Sequence, residues 1–244
     1  MPYSLSKLSK HKLLLGVPQL ASALPPTAPL GREALSEMLE RYEKLIVKPS
    51  LGSGGKGVRM VARDGSGYRV QSGTRSRRFG SRDALYAHLL AGMGSAKGMI
   101  QRRIPLATIE GRPFDLRVMV QRKSGGDWTV TGALAKVAGA GYIITNLARS
   151  GGRILTVSEA VRRSNIAGVG TDRIQAELVR LALASASRLR TRYNWIRTVG
   201  LDIGLDSSGK AWIIECNFSP ANSLFNRLRD KTMYRRILSY SKRA

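Results

Sequence analysis

The sequence predicts an α+β fold, built from antiparallel hairpins and a few amphipathic helices. Three stretches carry that prediction. Val199 to Asn217 holds two apolar runs joined by Asp206-Ser207-Ser208-Gly209, which reads as a β-hairpin. Phe114 to Arg122 alternates apolar and polar residues, then passes through the turn Ser124-Gly125-Gly126-Asp127 into Trp128 to Val137, a second hairpin. Thr171 to about Arg192 sets Ile174, Leu178, Leu181, Ala182, Ser185 and Leu189 at helical spacing, with Thr171 as the expected cap. The 244 residues suffice for one large domain or two lobes.

Taken in order, residues 1–32 form an entry segment. Ser9 to Leu14 can open a short helix, and Leu24-Pro25-Pro26-Thr27 reads as extended or turn. Arg32 to Tyr42 carries Leu35, Met38, Leu39 and Tyr42 at helical spacing. Leu45 to Pro49 is a short strand of buried type, which Pro49 ends. A glycine-rich loop, Ser50 to Val58, separates it from a strand at Val58 to Ala62. Tyr68 to Gln71 and Arg77 to Phe79 follow as short strands. Ser81 then caps a helix reaching Met93, with Leu85, Leu89 and Leu90 on its apolar face. Met99 to Ile104 is a strand or linker at a lobe boundary, giving a first lobe of residues 33–100 and a second of 101–244. Ile143 to Asn146 is a further strand, running into a loop at Leu147 to Gly152. After Ser219-Pro220 comes a basic amphipathic tail, Leu224 to Arg243, anchored by Leu228, Ile237 and Leu238.

Composition narrows the function classes. The chain is 43% hydrophobic and 23% charged, an ordinary globular mix. Its net charge of +25 is not ordinary, and attracts polyanions. Aromatics are only 6%, and no basic-aromatic stacking motif occurs, so the charge argues for a polyanionic neighbour and not for base reading. A solvated basic surface would show the same numbers. No apolar stretch reaches the length of a membrane span, and Met1 to Leu30 does not make a signal peptide, so a cytoplasmic protein is expected. One cysteine, Cys216, excludes an internal disulfide framework. His11 and His88, far apart, argue against zinc and against Ser/His/Asp or Cys/His catalysis.

The chemistry gathers on the last hairpin. Glu215 and Asn217 are two apart on one strand and share a face. A turn centred on Ser207-Ser208 pairs Asp202 with Ile213, one diagonal step from Glu215, so the three polar groups converge. Leu201, Ile203, Trp212 and Ile214 then take the other face, and Cys216 points away as packing. Buried carboxylates need a partner. Two carboxylates and an amide oxygen suit Mg²⁺, which binds few carboxylates plus substrate phosphates. A phosphate binder is at hand in Ser50 to Val58, flanked by Lys48 and containing Lys56. It is not a P-loop, because no Gly-Lys-Ser/Thr opens a helix. Glycines nonetheless let backbone N–H groups approach phosphate oxygens closely. An unliganded hairpin turn would have the same composition. Asp115 and Arg117 share a strand face, an arrangement that a structural ion pair would also give. Lys136 lies on the neighbouring strand.

In this order, Leu45-Ile46-Val47-Lys48-Pro49 with its glycine loop, Gln101 with Ile104, Phe114-Asp115-Leu116-Arg117-Val118, Gly132-Ala133-Leu134-Ala135-Lys136, Thr145 to Gly152, Gly200-Leu201-Asp202 and Ile214 to Pro220 resemble the ATP-grasp superfamily, and within it the YheC/YheD-like endospore coat-associated group. The resemblance implies two α+β lobes with antiparallel sheets gripping ATP. Lys48 would then reach the α/β phosphates. Ser50, Gly52, Ser53, Gly54, Gly55, Lys56 and Gly57 would close over the phosphates. Gln101, Arg102 and Ile104 would contact adenine and ribose. Asp202, Glu215 and Asn217 would hold two Mg²⁺ ions, or Mn²⁺ in their place, with Glu215 bridging. Arg117 and Lys136 would face the γ-phosphate and an acyl phosphate. Asn146 and Arg149 would lie near the acceptor. An upstream lysine, Lys10 or else Lys12, would complete the ATP site.

The implied activity is an ADP-forming ligase that joins a carboxylate to an amine or similar nucleophile. The family usually carries a further α/β domain before the upstream lysine, whereas this sequence starts almost at it. The expected acceptor is therefore held from outside, as an acidic peptide or protein would be, with nucleic acid less favoured. The alternatives are an ATP-grasp kinase and a non-catalytic basic binding or spore-structure protein. The acidic triad argues against the last and the charge argues for it. The resemblance adds spore association to the cytoplasmic expectation.

Overall fold

The computed structural model of the protein describes residues 5–52, 54–93, 97–142 and 151–241. Ser53, Asn146, Arg149 and the strand expected at Ile143 to Asn146 lie outside these residues. Two antiparallel sheets, each backed by helices, meet along one cavity. The architecture is α+β.

The chain opens with α1 (Lys7–Leu15), α2 (Pro18–Ala21) and β1 (Thr27–Pro29). Ser6 caps α1 by accepting from the Ser9 N–H. Next come α3 (Arg32–Arg41), β2 (Lys44–Pro49), β3 (Arg59–Asp64), β4 (Gly67–Ser72), β5 (Arg75–Phe79), α4 (Arg82–Ala91) and β6 (Gly98–Arg102). Their strands form the first sheet, in the order β1-β6-β2-β3-β4-β5. Alternation on β2 sets its role. Leu45 and Val47 are fully buried beneath α3 and α4, while Ile46 and Lys48 face the cavity. Leu35, Leu39, Leu85 and Leu89 complete this core, each contributing about 1.5–3 kcal/mol by burial.

The expected lobe boundary after residue 100 falls inside β6, which pairs as a whole with β2. Thr27–Pro29 of the entry segment pairs with it from the other side. Leu90, expected on the apolar face of α4, is 44% exposed, because the helix turns only Leu85 and Leu89 inward.

The second sheet comprises β7 (Thr108–Ile109), β8 (Arg112–Gln121), β9 (Thr129–Val137), β10 (Arg153–Leu155), β11 (Thr198–Leu205) and β12 (Ala211–Asn217). Its order is β10-β9-β8-β11-β12, with β7 paired to β8. Helices α5 (Val157–Arg163) and α6 (Thr171–Arg190) back it, joined by α1. Ile174, Leu178, Leu181, Ala182, Ser185, Ala186 and Leu189 make the buried stripe of α6. Thr171 does not cap that helix. Gly170 occupies the cap position with no side-chain bond, and Thr171 is the first helical residue.

On the opposite sheet face, α7 (Thr232–Ser241) and the turn Phe225–Arg227 cover β8 and β9. Gly132 permits this close approach, since a Cβ there would meet the Phe225 ring at 2.8 Å. Leu228 and Ile237 anchor the tail, but Leu238 is 36% exposed and Phe225 takes its place, fully buried. No helix among the described residues is long and apolar enough to cross a membrane.

Candidate active site

The β11–β12 hairpin differs from its expected register by two steps, and both bring the carboxylates closer. Asp206 wraps the turn. Its Oδ1 accepts from Ser208 N and Lys210 N, and its Oδ2 from Trp212 Nε1 at 2.9 Å. The turn therefore centres on Ser208, and Ile203 pairs with Ile213. A bulge then adds one residue, Ile214, so Asp202 stands directly opposite Glu215. The bulge also corrects the faces. Ile213 and Cys216 join Leu201 and Ile203 in the core, whereas Ile214 lines the cavity with Glu215 and Asn217. Trp212 pairs with Gly204 and lies under Arg102 and Lys210. Gly200 is required where the chain folds back, because a Cβ would meet Pro220 at 2.5 Å.

The cavity measures about 560 Å³, within the range of small-molecule sites. The first sheet and its exit supply Lys48, Gln101, Arg102 and Ile104, and the glycine loop supplies Gly54 and Gly55. The second sheet supplies Asp115, Arg117, Lys136, Asp202, Glu215 and Asn217. Lys48 Nζ donates to Gln101 Oε1 at 3.0 Å, and Gln101 Nε2 donates to Thr27 Oγ1. Burial lowers the Lys48 pKa, while Glu215 and Asp202 oppose the shift.

Direct cross-strand pairing builds the charged wall. Arg117 sits opposite Asp202 across β8 and β11, and Asp115 opposite Lys136 across β8 and β9. Arg117 grips Asp202 bidentately, at 3.0 and 3.2 Å. Lys136 Nζ lies 2.8 Å from Asp202 Oδ1 and 2.9 Å from Asp115 Oδ1. The ion pair considered between Asp115 and Arg117 along one strand is thus replaced by two pairs across strands. Burial alone would raise the Asp202 pKa, but Lys136 and Arg117 prevail and hold it well below the carboxylate range. Burial likewise disfavours charge on Arg117 and Lys136. Their acidic partners overcome it and raise both pKa values. All three groups are charged at neutral pH.

Asn217 Nδ2 donates to Asp202 Oδ2 at 3.3 Å, which turns the amide oxygen away from Asp202. Glu215 ion-pairs with Lys7 at 3.8 Å, and its charge also favours the buried Lys10 and Lys48. Two carboxylates and an amide oxygen on adjoining strands, at the floor of a cavity roomy enough for phosphates, suit a hard divalent cation. Asp202, Glu215 and Asn217 are the residues that could hold one.

The structure separates the remaining candidates. Lys10 is buried beside Glu215, its Nζ donating to the Cys216 carbonyl, whereas Lys12 is exposed. Lys7, Lys10, His11, Gln101 and Glu215 surround a second void of about 20 Å³, room for about one water. Ser50 is buried under the loop, and its N–H donates to the Lys97 carbonyl. Gly52 offers its carbonyl to Lys7 Nζ. Lys56 is exposed, and Gly57 packs against Pro49; neither lines the cavity. Burial, reinforced by Lys48, pushes the His11 pKa down to about 4. Burial pushes the Cys216 thiol up to about 12, which makes it packing rather than a nucleophile.

Lys7, His11, Arg103 and Asp115 are contributors that motif reading missed as site residues. Lys7 was within reach, since it lies one helical turn before Lys10 on the same face.

A family model described as YheC/D like ATP-grasp matches residues 2–243. The chain belongs to this family. It is 28% identical over 230 residues to the endospore coat-associated protein YheD of Bacillus subtilis, covering 91% of this chain and 49% of that one. It spans about half the length of the curated relatives it matches. Among solved structures, the biotin carboxylase of Campylobacter jejuni, in a β-γ-ATP complex, is similar with a TM-score of 0.60. The match is 14% identical and covers 98% of this chain and 46% of that one. The D-alanyl-alanine synthetase A of Vibrio cholerae gives a TM-score of 0.56 at 11% identity, covering 98% and 61%. At these identities the likeness shows the fold, which is ATP-grasp.

Proposed function

We propose that this YheC/D-like ATP-grasp protein is an ATP- and Mg²⁺-dependent, ADP-forming ligase that joins a carboxylate to an amine or similar nucleophile. One observation carries the reading. Five cations, three carboxylates and two amides, from two facing sheets, line a single cavity. A polyanion binder gains nothing from carboxylates at a cavity floor.

In this reading Lys48 neutralises the inner phosphates of ATP, and Gly54 and Gly55 cover them with backbone N–H groups. Asp202, Glu215 and Asn217 would hold Mg²⁺, which would supply charge neutralisation for the phosphates. Arg117 and Lys136 hold the transferred phosphoryl group. An acceptor carboxylate attacks the γ-phosphorus to give an acyl phosphate and ADP. The amine then adds to the acyl carbon and displaces phosphate. Arg117 and Lys136 stabilise the charge on that departing phosphate, so positioning and electrostatics carry the rate.

The first test is a melting curve with ATP and Mg²⁺ together and with ATP alone. Stabilisation that needs both is expected, and no shift with either would sink the enzyme reading. The second is mass analysis of products. ADP with an amide supports the ligase, whereas ADP with a phosphorylated acceptor makes the protein a kinase.

A further inference from the structure

The cleft accounts for Lys48, Arg117 and Lys136, but most of the positive charge lies elsewhere. Residues 59–79 carry six arginines and a single acid, Asp64. They form β3, β4 and β5, and β5 is the open edge of the first sheet. Arg75, Ser76, Arg77 and Arg78 are all exposed there. Asp64 is already taken, by Arg69 at 3.0 Å and Arg78 at 2.9 Å. Arg77 lies over the Phe79 ring at 5.2 Å.

Pairing decides where these guanidiniums point. Arg77 stands opposite Val70, and Arg78 opposite Arg69. Val70 and Phe79 belong to the helix-backed core, so Arg75 and Arg77 follow that face while Ser76 and Arg78 follow the other. A strand laid along β5 would meet arginines on both its faces. It would therefore favour acids at consecutive positions, not only alternate ones. Such an edge repels a second copy of itself and accepts the opposite charge. Its turn also reaches the second sheet's side of the molecule. Gln71 Nε2 donates to the Gly73 carbonyl at 2.9 Å and to the Gly141 carbonyl at 3.2 Å, so the β4–β5 turn touches the loop that follows the Lys136 strand.

We propose that the β5 edge docks an extended acidic peptide, whose main chain pairs with Arg75–Phe79 and whose carboxylates meet Arg75, Arg77 and Arg78. The open backbone edge favours a peptide over nucleic acid, which would use the charge alone. The inference deepens the ligase reading by giving its acceptor class. It is tested without nucleotide, so docking and catalysis can fail separately.

The experiment measures fluorescence anisotropy of labelled octaglutamate with the full chain, beside a peptide of equal charge with prolines between the glutamates and an oligothymidylate of matched charge. Octaglutamate is expected to bind, and more weakly at high salt. Arg75→Glu with Arg77→Glu should weaken it about tenfold or more, while Arg75→Lys with Arg77→Lys keeps most of the affinity. The proline peptide should bind at least about threefold more weakly, having lost the N–H donor at every proline and the acids at consecutive positions. Both arginines are exposed and outside the cleft, so melting curves and Mg²⁺-ATP stabilisation should match the parent. Unchanged affinity in the charge-reversed protein, equal binding of the proline peptide, or tighter binding of the oligonucleotide would each overturn the proposal.

Discussion

Two networks in this protein use the same ingredients, a carboxylate gripped by several cations, and differ in burial. In the cleft, Asp202 takes Arg117 and Lys136 with its side chain 14% exposed. At the β7–β8 turn, Glu110 takes Arg112, Arg153 and Arg163 at 2.7–2.8 Å with its side chain 53% exposed. Water can replace every partner of Glu110. It cannot reach Arg117 or Lys136 as freely, so removing Asp202 would strand the buried Arg117 and leave Lys136 with Asp115 alone. The difference separates a buried charged wall from a surface clasp that fixes a turn.

Glu215 gives the largest expected effect and the cleanest break between the two networks. It belongs to the cleft, but among the described residues its one ion pair is with Lys7, at 3.8 Å. Glu215→Gln should therefore lower turnover by about a hundredfold or more, read as ADP release, with little change in melting temperature. Near-parental turnover would remove Glu215 from the proposed metal set.

Asp202→Asn should lose turnover as well, but it should also cost about 3 kcal/mol or more in urea unfolding, because Arg117 keeps its charge without its bidentate partner and Lys136 is left with Asp115 alone. Adding Arg117→Met should recover part of that loss. If Asp202→Asn is as stable as the parent, the buried network does not hold the wall together.

His11 sharpens the comparison from the folding side. Its folded pKa, about 4, lies below its unfolded value, so the unfolded chain binds the proton first as pH falls. Stability should drop as pH falls from about 6.5 towards 4, by roughly 2–3 kcal/mol. His88 is also lowered, though it is less enclosed. Melting curves at pH 7.5 and 4.5 should therefore converge more in His11→Gln than in His88→Gln. Equal convergence would remove His11 from the list of buried, stability-linked groups.

Much of this was legible in the sequence, for a physical reason. The apolar run at Leu45 to Pro49 marked the strand that carries Lys48, and the spacing of Glu215 and Asn217 put them together. Both signals are local. What escaped depends on partners that sequence spacing does not give. Ile214 is an ordinary apolar residue, and only pairing with β11 makes it a bulge that sets Asp202 opposite Glu215. Asp115 finds Lys136 and Arg117 finds Asp202 because three strands register, not because the residues are near in sequence. Leu90 and Leu238 look apolar and are exposed, since their helices turn narrower stripes inward than composition suggests.

The smallest expected effect closes the comparison from the exposed side. Glu110 occupies a tight hairpin turn with Gly111, at φ of 53° and 73°. Its three arginines hold its pKa down, to about 2. A carboxylate lowered in the folded state contributes stability above its unfolded pKa, and loses it as pH falls from about 4.5 to 2. At neutral pH Glu110→Gln removes that contribution, but the arginines simply return to water. Its melting temperature should stay close to the parent's, and the small difference should shrink at high salt. ADP release should not change. A loss as large as that of Asp202→Asn would mean that burial is not what distinguishes the two networks, and the turn at Glu110 would then have to be counted among the elements that hold the second lobe in shape.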